Sequence, residues 1–276
     1  MHSEERHHEH RLELDLLEMQ RRLSRRRVTF GAIGAFGALT GLGILSTSGQ
    51  VLAQAGTTAL GCSVVPSETA GPFPANGSGR WVGNAPNALA LSGIVRSDIR
   101  SSMAGAQGMA QGVPLELTLD FVNAGAACGP AVGVAVYLWQ CDREGRYSLY
   151  SPGVVEQNYL RGVQVADAAG RVRFTTVFPG CYPGRMPHLH FEVYRSLGAS
   201  SSAAGRLKTS QLAFAPALCE QIYAQAPGYG DSASSLRGVS FETDGIFRDG
   251  VAQQLLSAQG SLASGLRAAL VIGISA

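Results

Sequence analysis

A mainly β fold is what this chain predicts: an antiparallel β-sandwich with a long irregular N-terminal wrap and one or two short helices. Apolar and polar residues alternate at a period of two in several short runs. Glycine is abundant, 35 of 276 residues, and turn signals such as Asp167-Ala168-Ala169-Gly170 separate the runs. Long runs of helical period are scarce beyond residue 60. At 45% hydrophobic and 15% charged, a chain of this length supports one sizeable core rather than several. Short strands joined by turns of this kind pack most simply as two facing sheets.

Residues 1–55 stand outside that fold, and residues 56–276 make it up. Met1 to Leu23 is charged and partly helical in pattern, and His7, His8 and His10 belong to this solvated leader rather than to a metal site. Ser24-Arg25-Arg26-Arg27-Val28 resembles the twin-arginine export motif. An uncharged, glycine-diluted apolar run follows from Phe30 to Leu45, then the small-x-small pattern Ala53-Gln54-Ala55. The glycines and the shortness of the run argue against a spanning anchor. The expectation is export to the periplasm or exterior by the twin-arginine translocase, with cleavage favoured over retention and no stable membrane insertion afterwards. The leader holds 7 Lys and Arg against 6 Asp and Glu of a chain whose net charge is +2, so the remainder is near neutral. That balance gives no electrostatic footing for nucleic acid.

From Gly56 to Gly112 the chain is rich in Gly, Ala, Ser and Pro and reads as the wrap, with Asp98 and Arg100 forming structural ion pairs. Strands are predicted over Leu115–Val122, Gly133–Gln140, Arg171–Phe178, His188–Tyr194 and Leu207–Phe214, and Ala268–Ile274 closes the sheet. One or two short helices fall within 216–260, for example Leu218–Ala226. The five cysteines, Cys62, Cys128, Cys141, Cys181 and Cys219, all lie beyond the leader. In an oxidising compartment they allow up to two disulfides with one thiol left over, and sequence leaves the pairing open.

The chemistry concentrates in Tyr182-Pro183-Gly184-Arg185-Met186-Pro187-His188-Leu189-His190. Residues i and i+2 of a strand share a face, so His188 and His190 can grip one cation. Tyr147 follows the turn Asp142-Arg143-Glu144-Gly145, and Tyr182 precedes the histidines. A phenolate oxygen is hard and anionic, which suits a ferric ion better than softer cations. A Cys181 ligand is disfavoured because it faces away from Tyr182 in an extended turn, and a thiolate tends to reduce a ferric centre.

The series Trp139-Gln140-Cys141-Asp142…Gly145-Arg146-Tyr147, Leu160-Arg161-Gly162, Gly170-Arg171-Val172-Arg173-Phe174-Thr175-Thr176, and Pro179-Gly180…Tyr182-Pro183…Arg185…His188-Leu189-His190-Phe191 resembles the intradiol ring-cleavage dioxygenases. Its nearest resemblance is to the protocatechuate 3,4-dioxygenase β-like members. It spans roughly residues 60 to 215. The resemblance implies a non-haem Fe(III) held by Tyr147, Tyr182, His188 and His190, with Tyr182 displaced by substrate and helping to remove its proton. It implies that Arg185 stabilises charge on the reacting ring, that Gln211 supports the site, and that Gly71-Pro72-Phe73 lies near the substrate mouth. Substrates would be a catechol-type molecule and O₂, and the product a muconate-type diacid. The competing expectations are an exported metal-containing binding module without ring cleavage, and a copper or zinc His/Tyr protein. The particular catechol and the oligomeric state are not specified by these motifs.

Replacing Arg25, Arg26 and Arg27 together with lysine should leave precursor in the cytoplasm, because lysine lacks the planar fork of the guanidinium. Cell fractionation reads the outcome, and undiminished export would assign the leader to another route.

Overall fold

The computed structural model describes residues 62–78 and 85–276. The leader assigned to residues 1–55 lies outside the described residues. Among the described residues nine strands form two sheets. In the first, β1 (Pro114–Asn123) is central. It pairs antiparallel with β2 (Gly129–Pro130) and β5 (Arg171–Val177), and parallel with β9 (Gly265–Ile274), which carries β8 (Ser257–Ser261). The second runs β4 (Arg161–Val165), β3 (Ala135–Trp139), β6 (His188–Tyr194) and β7 (Arg206–Ala213), all antiparallel. Helices α1 (Pro216–Gln225) and α2 (Gly230–Leu236) follow β7.

The predicted sandwich is present, with one difference in detail: β1 and β9 are parallel neighbours. They lie at opposite ends of the folded segment, so the intervening chain supplies the long crossover that a parallel pair requires. The six predicted strands appear as β1, β3, β5, β6, β7 and β9, within a few residues of the expected limits.

The two sheets differ in how they are covered. Along β1, Leu115, Leu117, Leu119 and Phe121 are buried while their neighbours are more exposed, the pattern of a sheet with one wet face. Phe121 meets Phe191 of β6 edge-on across the sandwich at 5.8 Å. In β6, by contrast, every residue is buried. Leu189, Phe191 and Val193 alternate with His188, His190, Glu192 and Tyr194, so both faces of this strand are covered. The outer face belongs to a second cluster in which Tyr137, Trp139 and Tyr194 pack with Ala75, Ala88, Tyr147 and Tyr150. The site lies in this outer layer.

The wrap is fastened at both sheets. Val65 N–H donates to the Gly273 carbonyl on β9, and Glu68 N–H to the Thr209 carbonyl on β7, each at 2.9 Å. Arg161 is fully buried and spends its guanidinium on the carbonyls of Phe73, Pro74 and Ser148, with Tyr137 and Ser148 hydroxyls also in reach. A buried charge without a carboxylate partner among the described residues is tolerable here because carbonyl and hydroxyl oxygens satisfy its donors. The expected ion pair between Asp98 and Arg100 is present at 2.7 Å.

One disulfide, Cys62–Cys128, ties the start of the described wrap to the β1–β2 turn. Cys141, Cys181 and Cys219 are free and buried. The bridge closes a sequence separation of 66 residues. In the loop-entropy account such a closure is worth about 4 kcal/mol. Cys128→Ser should therefore lower unfolding free energy by up to about that amount, read by denaturant titration under non-reducing conditions. A variant as stable as the parent would mean that the bridge constrains nothing.

Candidate metal centre

Four donor atoms converge on the outer face of β6. His188 Nε2 lies 3.1 Å from His190 Nε2, His190 Nε2 3.2 Å from Tyr147 Oη, Tyr147 Oη 3.5 Å from Tyr182 Oη, and Tyr182 Oη 3.1 Å from His188 Nε2. Donors held about 2.0–2.1 Å from one cation are about 2.9 Å apart at right angles and about 3.4 Å apart in a tetrahedron. The observed separations fall on that scale, so the four side chains fit a single first-row metal ion. Among the described residues no cluster of three His, Cys, Asp or Glu exists, so a metal here must take phenol oxygens.

Each donor is aimed by its neighbours. His188 Nδ1 sits 2.6 Å from the Met186 carbonyl, which fixes the proton on Nδ1 and leaves Nε2 with its lone pair. His190 stacks on Trp139 of the paired strand, centroids 4.9 Å apart and planes within 5°. Its Nδ1 is buried without a partner among the described residues, so ring stacking rather than a hydrogen bond holds it.

Tyr147 comes from the turn after β3, which Asp142 builds. That carboxylate accepts the Glu144 and Arg146 N–H groups at 2.9 and 3.0 Å and pairs with the Arg146 side chain. The Asp142 carbonyl also accepts the Gly180 N–H at 2.9 Å, joining this turn to the loop that carries Tyr182. Gly145 sits at φ +80°, and a Cβ there would press within 3.3 Å of the Cys181 carbonyl and Tyr182 Cβ. Only glycine permits both the turn and the close approach that brings the two phenols together.

The electrostatics of the four donors favour a cation. Burial pushes the Tyr182 phenol up to about 12 and the Tyr147 phenol well above its ordinary value. Burial also drives both imidazoles well below theirs, with the Arg185 charge adding to the fall. All four donors are therefore neutral at pH 7, and the phenols ionise only beside a strong positive charge.

Arg185 is buried at the edge of this set. Its Nε donates to both oxygens of Asp244 at 3.2 and 3.1 Å, and Nη2 donates to Gln211 Oε1 at 2.6 Å. Among the described residues Nη1 has no hydrogen-bond partner and is the donor left for a bound molecule. Gln211 in turn donates to the Thr69 carbonyl at 2.9 Å, linking β7 to the wrap. At Gly71, φ +68°, a Cβ would come within 3.3 Å of His190 Cε1. Phe73 lies 4.9 Å from Tyr147, centroid to centroid. The Gly71-Pro72-Phe73 loop thus borders the site as predicted.

All six predicted site residues, Tyr147, Tyr182, Arg185, His188, His190 and Gln211, are brought together. Cys181 turns its Sγ to the Arg185 carbonyl at 3.3 Å, away from the phenols. Sequence reading missed Asp244, whose Thr243-Asp244-Gly245 setting signals only a turn. It also missed Trp139 as a stacking partner, Phe247, and the role of Asp142.

The family described as Dioxygenase matches residues 96–223. The chain is similar in structure to an intradiol ring-cleavage dioxygenase from Tetranychus urticae, at 27% identity, a TM-score of 0.58, and coverage of 77% of this chain and 95% of that one. A second dioxygenase of known crystal structure is similar at 26% identity and a TM-score of 0.59, covering 77% of this chain and 94% of its own.

Glu68, in the wrap beside Gln254, supplies a pH test. Burial, then the nearby Asp249 carboxylate, pushes its carboxyl up to about 7 from an ordinary 4.5, against opposing effects of Gln254 and Arg185. The folded form holds this proton more tightly than the unfolded chain does. Its stabilising contribution is therefore complete below about pH 4.5 and is lost as pH rises to about 7. Glu68→Gln should leave stability near pH 4 unchanged and raise it at pH 8. Urea unfolding at both values checks this, and equal shifts at the two would contradict it.

Proposed function

We propose that this chain, which matches a dioxygenase family over residues 96–223 and is similar to an intradiol ring-cleavage dioxygenase, opens a catechol-type ring between its two hydroxylated carbons with O₂. The product is a muconate-type diacid. A non-haem Fe(III) would be held by Tyr147, Tyr182, His188 and His190. The observation that carries this reading is the ring of four neutral donors at 3.1–3.5 Å with the free Arg185 Nη1 beside it.

Bound Fe(III) supplies the Lewis acidity that ionises the phenols and the catechol hydroxyls and draws electron density from the ring. The protein's own groups do the rest. Burial, with the Arg185 charge, holds the His188 and His190 imidazoles well below their ordinary pKa, so both offer lone pairs at neutral pH. Tyr147 is almost wholly buried, whereas Tyr182 is partly exposed beside the exposed Pro183 and Gly184. Tyr182 is therefore the phenol able to swing out and take a proton from the incoming catechol at its oxygen. Arg185 Nη1 lies where it can donate to the oxygen that gathers negative charge as the ring reacts, a preorganised donor in a water-poor site. Gly71-Pro72-Phe73 and Phe247 supply an apolar border on which an aromatic ring can lie.

The location follows as a proposal from the leader, with passage by the twin-arginine translocase. The Cys62–Cys128 disulfide supports it, since such bridges persist outside the reducing cytosol.

Iron content and oxygen uptake, measured together across simple, alkylated and carboxylated catechols, test the assignment. The iron-loaded parent should be coloured by tyrosinate charge transfer. Arg185→Ala should keep iron and colour yet lose about 10²–10³ in rate. His190→Ala should lose the metal. A parent that takes up iron but consumes no oxygen with any catechol would instead be a binding module, and one that holds only zinc would overturn the ferric reading.

A further inference from the structure

Asp244 lies outside the segment matched by the dioxygenase family, on the loop between α2 and β8. It is fully buried, and no water-exposed edge explains its charge. Its two oxygens serve three separate parts of the site. Both accept Arg185 Nε, at 3.2 and 3.1 Å. Oδ2 also accepts the Met186 N–H at 2.7 Å, and Met186 is the residue whose carbonyl fixes the His188 ring. Oδ1 accepts the N–H groups of Ile246 and Phe247 at 2.7 and 3.2 Å, and Phe247 lies edge-on to His188 and under the Arg185 guanidinium.

We propose that Asp244 is the positioning residue of Arg185: its carboxylate holds Nε and, with Gln211 on Nη2, leaves Nη1 as the only guanidinium nitrogen directed at the substrate. The inference rests on the ring-cleavage reading for its kinetic consequence but not for the contact itself. The geometry excludes a looser arrangement. A guanidinium is planar with its donors in a rigid fork, so fixing Nε and Nη2 fixes the direction of Nη1. Gln211 alone, a single neutral acceptor, leaves the plane free to rotate about the Nη2 contact. Asp244 removes that freedom and offsets the buried positive charge. Because the same carboxylate pins Met186 and Phe247, the arginine and the β6 histidines share one anchor rather than two independent ones. A donor displaced by about 1 Å costs on the order of 10²-fold in rate.

A double-mutant cycle on the iron-loaded protein decides whether Asp244 acts through Arg185. Asp244→Asn should lower kcat about 10²-fold with a smaller change in KM and with iron content kept. Added to Arg185→Ala it should cost almost nothing more, because the group it positions is already absent. Losses that multiply would make Asp244 merely structural and overturn the proposal. If Asp244→Asn does not fold, Asp244→Glu takes its place: it keeps the charge but displaces the fork, and the same non-additivity is expected.

A second arm needs no activity. Millimolar guanidinium chloride should raise the thermal midpoint of metal-free Arg185→Ala relative to equal sodium chloride, by refilling the site against Asp244. The shift should vanish in Arg185→Ala/Asp244→Asn. A shift that persists without Asp244, or is absent with it, sinks the proposal. Should the parent consume no oxygen with any catechol, the ring-cleavage reading fails while the guanidinium arm still decides the contact.

Discussion

The hydrogen-bonded register across β3, β6 and β7 is the constraint from which the site follows. Trp139 pairs with His190, and His190 pairs with Gln211, so one row across three strands carries a stacking indole, a metal donor and the amide that meets Arg185. Partners in a row point to the same face, and a slip of one residue would send every one of them to the opposite side. Such a slip would place Leu138, Leu189 and Leu212 in the outer layer and bury both imidazoles against β1. The apolar set on the inner face therefore enforces the polar set on the outer one. Packing and chemistry are coupled through a period of two.

That coupling creates a problem which the wrap solves. Imidazoles and phenols on a sheet face that met water would be hydrated and only weakly able to select a highly charged cation. Covering the face with Ala75, Ala88, Phe73 and Tyr150 removes water and raises the phenol pKa values. The cost is a second layer built from a segment with little regular structure of its own. It is held by long-range contacts: Arg161 to the Phe73 and Pro74 carbonyls, Gln211 to Thr69, Lys208 to Val65 and Ser67, and the Cys62–Cys128 bridge. Buried donors reaching wrap carbonyls are what such a layer needs, since its backbone meets the sheets only at isolated bridges.

Much of this was legible in the sequence, because the decisive residues sit in strongly patterned segments. β6 could be delimited from His188 to Tyr194 by its alternation, and the two histidine donors by their spacing, while Tyr147 and Tyr182 were singled out through the family resemblance. What escaped notice has definite causes. β4 opens on Arg161, whose charge reads as surface although the side chain is wholly buried, and Gly162 interrupts its pattern. β8, Ser257–Ser261, offers no apolar alternation and exists because β9 pairs with it. β2 is two residues long and is formed by the turn. Only one disulfide forms, since Cys141, Cys181 and Cys219 are packed inside, a placement that spacing does not encode. Asp244 is the sharpest case. It lies 59 residues from Arg185, and nothing local to a Thr-Asp-Gly turn distinguishes a carboxylate facing water from one facing a guanidinium.

The two phenols are chemically alike but mechanically different, and the difference is built into their backbones. Tyr147 has its N–H tied to Ser151 Oγ at 2.9 Å and its ring packed on Phe73, and the Asp142 turn before it is cross-braced by Arg146. Moving it would break several buried contacts at once. Tyr182 leads into Pro183 and Gly184, both exposed, and a Cβ on Gly184 would meet nothing within 4 Å. Rotation of Tyr182 into that open side disturbs few neighbours. A ligand set meant only to store a metal gains nothing from such asymmetry, because its weakest member limits retention. A site that must release one ligand to admit a chelating substrate needs one rigid phenol to keep the cation and one loose phenol to yield its place. The unequal anchoring of Tyr147 and Tyr182 therefore agrees with the displacement of Tyr182 that the resemblance implies, and supports the ring-cleavage proposal over metal storage.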